Sequence, residues 1–284
     1  MQNYIEEKKS FLQKLQKFAF SLTKVISEND AWTIKGFIDI YQTIYPISSD
    51  TKVISKLLEI HLFPHLVYFA KSIGYEIELA AHQNWYPDFT FTNINNPNIK
   101  FAVDLKTTYR NEQTPNFCNG FTLGSHGEYF RERNSTKNIQ YPYKSYSGHL
   151  CLGVIYSRAS QEIVNDQLRF VLHDLSKIPS VIGNFIFFAE EKWRIASDKS
   201  GSGNTANIGS IHSISDIING NGVFAKAGEE IFDDYWRNYG LITTLDKSGC
   251  NKKITTLEEY LKYRGLPAKL NNKAFLKKAQ GKEN

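Results

Sequence analysis

The sequence predicts an α/β protein in which a mixed β-sheet is flanked by helices. Two long stretches, at about residues 3–26 and 51–72, have the apolar periodicity of helices. Short apolar runs bounded by Asn, Pro or Gly have the length and composition of strands. With 284 residues, of which 41% are hydrophobic, the chain can form one large domain with a small accessory part.

Composition sets limits on partners and compartment. The formal charge of +5 is compatible with a polyanionic partner but does not require one. Cys118, Cys151 and Cys250 have no metal-type spacing, so we expect free thiols in a reducing cytoplasm. No signal-peptide pattern is evident and no apolar run is expected to span a bilayer, so no membrane partner is expected.

The N-terminal helix has an apolar stripe and an opposite face that mixes Lys and Glu, which predicts packing on a core. Residues 33–45 are β-rich and suit a hairpin that packs or pairs. Ser48-Ser49-Asp50 then caps a helix that runs to about Ser72. Glu59 lies in its middle, where an isolated acid is ordinarily a solvated charge.

Two strands with a polar turn between them follow, at residues 86–91 and 100–105. Asp104 and Lys106 share one face of the second strand, because side chains two apart in a strand point the same way. Asp88 on the first strand could complete a cluster of two carboxylates and one ammonium. Such a cluster can hold Mg²⁺ beside a phosphodiester.

An Asp-x-Lys triplet is by itself a common pattern. Asp50-Thr51-Lys52 is a second example, at the start of a helix. Asp104-Leu105-Lys106 differs because a buried strand precedes it and Pro87-Asp88 lies upstream. The local pattern leaves two interpretations open, a nuclease centre and ordinary surface charges on an antiparallel hairpin.

Further along the chain, residues 150–157 are predicted to form a buried strand, and residues 184–189 and 192–197 a pair of strands around Glu190-Glu191. Residues 199–210 are rich in Gly, Ser and Asn without a phosphate-loop pattern. They fit either a flexible surface loop or a loop that presses into a groove and contacts base edges. Residues 233–239 and 256–263 are expected to be helical, and the basic residues 269–278 a solvated tail rather than a phosphate contact.

Several stretches resemble one known family, in the same order along the chain. They are Ser49-Asp50-Thr51-Lys52-Val53 with Glu59, Gln83-Asn84, Tyr86-Pro87-Asp88-Phe89-Thr90, Asp104-Leu105-Lys106-Thr107-Thr108-Tyr109, Phe121-Thr122-Leu123-Gly124, Thr136-Lys137-Asn138-Ile139, Gly201-Ser202-Gly203-Asn204-Thr205 with Asn207, and Asp234-Tyr235-Trp236-Arg237-Asn238-Tyr239. The chain from about residue 36 to 239 thereby resembles the EcoRV-type restriction endonucleases of the PD-(D/E)xK nuclease superfamily.

The resemblance implies a restriction-endonuclease-like core and a homodimer that cuts both strands of a short palindrome in double-stranded DNA. It assigns Asp88 and Asp104 to Mg²⁺ binding, Lys106 to the chemistry beside the metal, and Glu59 to an accessory acid in the metal and catalytic set. The products expected are 5′-phosphate ends, from a blunt cut at GATATC. A companion DNA methyltransferase is expected in the same cell, where the enzyme restricts foreign DNA.

The resemblance also assigns DNA contacts. The loop at residues 201–207 is expected to read bases in the major groove, and Gln83-Asn84 to approach from the minor-groove side. The full set of expected DNA-binding residues is Gly201, Ser202, Gly203, Asn204, Thr205, Asn207, Gln83, Asn84, Thr51, Thr108 and Lys137.

The implied organisation is an N-terminal helix and dimerisation hairpin at 1–48, a catalytic and DNA-recognition core at 49–240, and a C-terminal helical, basic extension at 241–284. The sequence departs from the family pattern at His82, at Ala206 and after Tyr239. Two alternatives stay open at this point. They are a structure-specific or repair nuclease of the same superfamily, and a non-catalytic DNA-binding protein on the same scaffold.

Overall fold

The computed structural model describes residues 2–159, 167–201, 206–246 and 248–270. The helices are α1 (Gln2–Ile26), α2 (Thr51–Ser72), α3 (Glu128–Arg131), α4 (Lys192–Ile195), α5 (Ile214–Ile218), α6 (Glu229–Asn238) and α7 (Leu257–Tyr263). The strands are β1 (Ser27–Glu28), β2 (Ala31–Trp32), β3 (Gly36–Ile38), β4 (Thr43–Pro46), β5 (Tyr75–Leu79), β6 (Phe89–Asn93), β7 (Lys100–Tyr109), β8 (Thr122–Ser125), β9 (Gly148–Arg158), β10 (Phe170–Val171), β11 (Ile182–Glu191), β12 (Ala196–Ser200), β13 (Asn207–Ser210), β14 (Thr243–Leu245) and β15 (Asn251–Lys253).

The centre of the fold is a seven-stranded mixed sheet in the order β1-β2-β11-β9-β7-β6-β5. Its strands pair antiparallel except β7 and β9, which run parallel. Strands β6 and β7 form the predicted hairpin, with Phe91 opposite Phe101. Helices cover the sheet, so the predicted α/β class is confirmed.

Alternate residues of β7 face two separate hydrophobic clusters. Phe101 and Val103 pack into the cluster that contains buried residues of α1 and α2. Ala102 packs into the cluster that contains α6 and α7. Since side chains alternate across a strand, Asp104 and Lys106 lie on the face of Ala102, opposite α1 and α2.

The two long helices form as predicted. In α1, Phe11 is buried and stacks on Phe101, with ring centroids 4.2 Å apart. In α2, the Asp50 side chain accepts hydrogen bonds from the backbone N–H groups of Lys52 and Val53, which satisfies donors that a helix start leaves unpaired.

Helix α2 corrects one expectation, because its length and composition would suffice for a membrane span. Its buried residues Ile54, Leu58 and Leu62 belong to the same cluster as the sheet. One row of its apolar residues is therefore used in the core of the protein, whereas others, such as Ile60 and Tyr68, are exposed.

The predicted pair of strands around Glu190-Glu191 is wrong. Both residues continue β11, where they pair with Cys151 and Leu150 of β9. Helix α4 follows at once, and β12 joins a separate three-stranded sheet in the order β12-β13-β8. Two adjacent acids favour a turn, but backbone pairing with β9 keeps them in the strand.

A small sheet in the order β10-β4-β3 carries the predicted hairpin of residues 33–45. Ile44 of this hairpin is buried, whereas Ile40 and Tyr41 in its turn are 89% and 82% exposed. The division of the chain at residues 48 and 240 stays a prediction. Helix α1 contributes buried residues to the cluster under the central sheet.

Candidate active site

The site lies where the hairpin of β6 and β7 meets β9. Asp88 immediately precedes β6, and Asp104 is in β7, where it pairs with Cys151 of β9. The strand register that joins Phe89 to Val103 brings Asp88 opposite Asp104. Two residues 16 positions apart therefore become neighbours through the pairing of one hairpin.

The two acids are held by reciprocal backbone contacts. The N–H of Asp88 donates to Oδ1 of Asp104 over 3.1 Å, and the N–H of Leu105 donates to Oδ2 of Asp88 over 2.9 Å. Each carboxylate is thereby oriented by the backbone of the opposite strand. The side chain of Asp104 is 3% exposed and that of Asp88 39%.

Lys106 bridges the two carboxylates, as its position two residues after Asp104 predicts. Its Nζ lies 3.3 Å from Oδ2 of Asp104 and 3.5 Å from Oδ2 of Asp88. Burial alone would lower the pKa of Lys106, but the two carboxylates raise it above the ordinary value. The lysine therefore stays charged.

A second lysine, Lys192 at the start of α4, reaches the same carboxylate. Its Nζ lies 2.8 Å from Oδ2 of Asp104 and 3.8 Å from the centroid of the Tyr86 ring. Burial lowers the pKa of Lys192, and Asp104 opposes that effect. The side chain is 6% exposed, so the ammonium is enclosed in the protein.

The surroundings of Asp88 and Asp104 shift the pKa values of the two carboxyl groups in opposite directions. Burial would raise the pKa of Asp104, but Lys106 and Lys192 outweigh it and bring the pKa to about 2. Burial raises the pKa of Asp88 above its usual range, and Lys106 only partly compensates. Asp104 is thus the firmly ionised partner and Asp88 the more exposed one.

The donor set fits a hard divalent cation. Mg²⁺ is usually bound through one or two carboxylates and completes its shell with water and substrate phosphates. Asp88 and Asp104 supply such oxygens, and the side chain of Asp88, 39% exposed, is accessible to an ion from solvent. Among the described ranges, no group of three or more His, Cys, Asp or Glu residues is gathered around a possible metal position.

Comparison with known proteins decides the family. The family model described as restriction endonuclease EcoRV matches residues 28–265. The type II restriction enzyme EcoRV of Escherichia coli is 38% identical over 247 residues, covering 86% of this chain and 96% of the relative. The chain belongs to the EcoRV restriction endonuclease family. It is accordingly a type II restriction endonuclease, and its substrate is DNA.

Glu59 does not join the carboxylate pair as a third member of a cluster. It lies on α2, 36% exposed, and forms an ion pair with Lys56 at 2.7 Å. Helix α2 packs on the face of the sheet opposite Asp104. Glu59 instead lines an open cleft of about 530 Å³ at the end of β7.

Several residues expected to contact DNA line that cleft. Thr51 is exposed at the start of α2, and Gln83 is exposed in the turn before β6. Thr108 also lines the cleft, although its hydroxyl donates to the carbonyl of Gly120 over 2.9 Å. The cleft therefore joins three EcoRV-family segments that are separate in the sequence.

Two other expected contacts lie elsewhere on the surface. Asn84 is exposed beside Gln83. Lys137 is 65% exposed, with its Nζ 2.7 Å from Oε2 of Glu128. Both are free of the core, but neither is among the residues that line the cleft.

The expected base-reading loop is described only at its ends. Ser202, Gly203, Asn204 and Thr205 lie outside the described residues, as does most of the basic tail. Gly201 donates its backbone N–H to the carbonyl of Asn207 over 2.8 Å, which closes the base of the loop between β12 and β13.

Sequence reasoning did not identify Lys192. One signal was present, since Glu190-Glu191-Lys192 is an acid-x-Lys triplet after an apolar strand, as is Asp104-Leu105-Lys106. A turn at Glu190-Glu191, as the sequence predicts, would place Lys192 on a separate strand and away from Asp104. Only the pairing of β9 between β7 and β11 shows that both triplets end at the same place.

Proposed function

We propose that this member of the EcoRV family is a Mg²⁺-dependent homodimer that cuts both strands of a short palindromic duplex. The proposal rests on the cluster of Asp88, Asp104 and Lys106 at one end of the hairpin, where Lys106 is followed in β7 by Thr107 and Thr108 of the cleft wall. The ammonium of Lys106 lies 3.3 Å from the carboxylate of Asp104 and 3.5 Å from that of Asp88. Two carboxylates that can hold a cation, with a positive charge beside them, are suited to phosphodiester hydrolysis.

In this proposal Asp88 and Asp104 hold the cation. When bound, Mg²⁺ supplies positive charge at the scissile phosphate and makes water more acidic. The backbone N–H groups of Asp88 and Leu105 keep both carboxylates in place. Lys106, with its side chain 22% exposed, would add positive charge beside the cation, which orients the attacking water and stabilises the developing anion.

Glu59 takes the place of an accessory acid in the metal and catalytic set. Its position on the wall of the cleft supports a role toward DNA or toward a water near the cation. Thr51 and Gln83 on that wall supply polar groups suited to phosphates and sugars, and Thr108, whose hydroxyl is bound to the carbonyl of Gly120, would adjoin the duplex there. Asn84 and Lys137 would contact the duplex outside the cleft.

Target selection is assigned to the loop at residues 201–207. The Gly-Ser-Gly-Asn-Thr core of this loop is the same as in the family pattern. This identity supports the target GATATC and a blunt cut that leaves 5′-phosphates. The amide groups of Asn204 and Asn207 would serve as base readers. His82 and Ala206, which depart from the family pattern, are the residues most able to alter the preferred DNA sequence.

Homodimer formation is assigned to residues 1–48, through the hairpin of β3 and β4. Exposed apolar side chains on this hairpin support it, notably Phe37 and Ile38 on β3 and Ile40 in the turn, at 50, 55 and 89% exposure. A twofold DNA sequence is read most simply by a twofold protein, with one active site on each strand.

The biological role is restriction of foreign DNA in the cytoplasm, with a DNA methyltransferase that protects the host sites. The free state of Cys118, Cys151 and Cys250 supports a reducing compartment.

Digestion of a DNA of known sequence, followed by mapping of the ends, tests the proposal. We expect discrete fragments with Mg²⁺ and none with EDTA, and ends that map to GATATC. Fragments without sequence preference, or cleavage that persists in EDTA, would refute it. The Lys100→Ala variant is a matched control. Lys100 lies on the same face of β7 as Lys106, but at the first residue of the strand and away from the two acids.

A further inference from the structure

The ammonium of Lys192 is enclosed on several sides. It contacts Asp104 and the Tyr86 ring, and a Cβ added at Gly124 would lie 3.3 Å from its Nζ. Gly124 has a φ of +103°, so the chain passes close over the lysine where a larger side chain would be strained. Lys192 therefore cannot swing into the cleft to meet a substrate.

Lys106 and Lys192 both neutralise Asp104, but from different positions. Lys106 is 22% exposed and sits between both acids, whereas Lys192 is 6% exposed and lies closer to Asp104, at 2.8 Å. A buried charge pair is held strongly in place, because separating it would leave the enclosed ammonium of Lys192 without its carboxylate. Lys192 is the more permanent partner of Asp104.

The four side chains are balanced in charge. Asp88 and Asp104 contribute two negative charges, and Lys106 and Lys192 two positive ones. A divalent cation would bring the group to a net charge of +2 in a partly buried place. Charge repulsion there is weakly screened, so this arrangement is unfavourable until another anion arrives.

We propose that Lys192 is a positioning residue that serves as the resident counter-cation of Asp104. It holds Oδ2 of Asp104 while the site lacks a divalent cation and weakens binding of that cation until a DNA phosphate adds negative charge. Cation uptake is thereby made conditional on the substrate. The inference rests on the proposed cation site at Asp88 and Asp104.

The test measures binding of Mn²⁺ alone to the full chain at pH 7 by calorimetry. The variants are Lys192→Met and Lys192→Gln, and Gln keeps a donor for Asp104 should Met prevent folding. Lys8→Met is the matched control. Its Nζ is also partly buried and bridges two acids, Glu191 and Glu229, but outside the site.

We expect the wild type and Lys8→Met to bind Mn²⁺ weakly without DNA. A folded Lys192 variant should bind at least about tenfold more tightly, because a positive charge next to the ligand oxygen is gone. A lysine that merely supported the fold would change the affinity in the opposite direction on removal. An affinity equal to or weaker than that of wild type therefore overturns the inference.

A second arm adds the target duplex with a 3′-methylene phosphonate at the scissile position, which keeps the charge and cannot be cleaved. Wild type should then gain affinity for Mn²⁺, and the Lys192 variants should gain less. If no protein binds Mn²⁺ even with this duplex, the proposed cation site itself is wrong. A different outcome is that wild type binds Mn²⁺ with the duplex, while the Lys192 variants and wild type have equal affinities without DNA. In that case only the proposed role of Lys192 is wrong.

Discussion

The backbone N–H of Asp88 donates a hydrogen bond to Oδ1 of Asp104 over 3.1 Å. In return, the residue after Asp104 donates its N–H to the carboxylate of Asp88 over 2.9 Å. Backbone groups next to each acid thus help to hold the carboxylate of the other, in addition to the ion pairs with Lys106 and Lys192. Because the geometry comes from strand pairing, single substitutions of the acids should leave the sheet intact.

We expect Asp88→Ala and Lys106→Ala to abolish cleavage while dimerisation is retained. Removal of a group at the reacting phosphate costs on the order of 10²-fold or more in rate. Plasmid digestion measures the activity and sedimentation velocity the oligomeric state, with Lys100→Ala as the active control. Cleavage by either variant at a rate near wild type would show that the active-site assignment is wrong.

The depressed pKa of Asp104 predicts a pH dependence of stability. Because the folded state lowers this pKa from 3.8 to about 2, ionised Asp104 stabilises the fold above pH 3.8. That stabilisation is lost as the pH falls through about 2. The difference in pKa corresponds to about 2 kcal/mol at neutral pH.

The variant Asp104→Asn lacks this contribution. Urea denaturation at pH 7 should therefore show a wild type that is more stable than Asp104→Asn, and the gap should shrink at pH 3. A gap that widens as the pH is lowered would contradict the charge environment described for Asp104.

Ile40→Asp should weaken dimerisation, because Ile40 is 89% exposed on the hairpin proposed as the interface. Double-strand cutting should fall with it, while the thermal stability of the monomer should change little. Leu245→Asp is the matched control, as Leu245 is 70% exposed on β14. Sedimentation equilibrium checks both, and a fully dimeric Ile40→Asp protein would place the interface elsewhere.

Gly153→Ala should destabilise the central sheet. Gly153 on β9 pairs with Phe188 on β11, and an added Cβ would lie 2.0 Å from the Phe188 ring. Forcing the ring aside costs about 1–3 kcal/mol. Urea denaturation measures the loss, and an unchanged midpoint would mean that the two strands do not meet as described.

The sequence by itself determined the local elements and half of the site. Asp50 caps α2 through its own side chain, and Asp104 and Lys106 share a face because of the strand period. The hairpin of β6 and β7 followed from a short polar turn. Each of these features depends on residues close together in the chain, which is why pattern and spacing were sufficient.

Only the tertiary structure decided which distant groups meet Asp104. The pairing of β7, β9 and β11 brings Lys192 to that carboxylate, whereas α2 places Glu59 on the wall of the cleft. Strand order and the face on which a helix packs are set by long-range burial of apolar surface, and short sequence patterns do not encode them. The position of Lys192 beside Asp104 therefore depends on the assembled sheet.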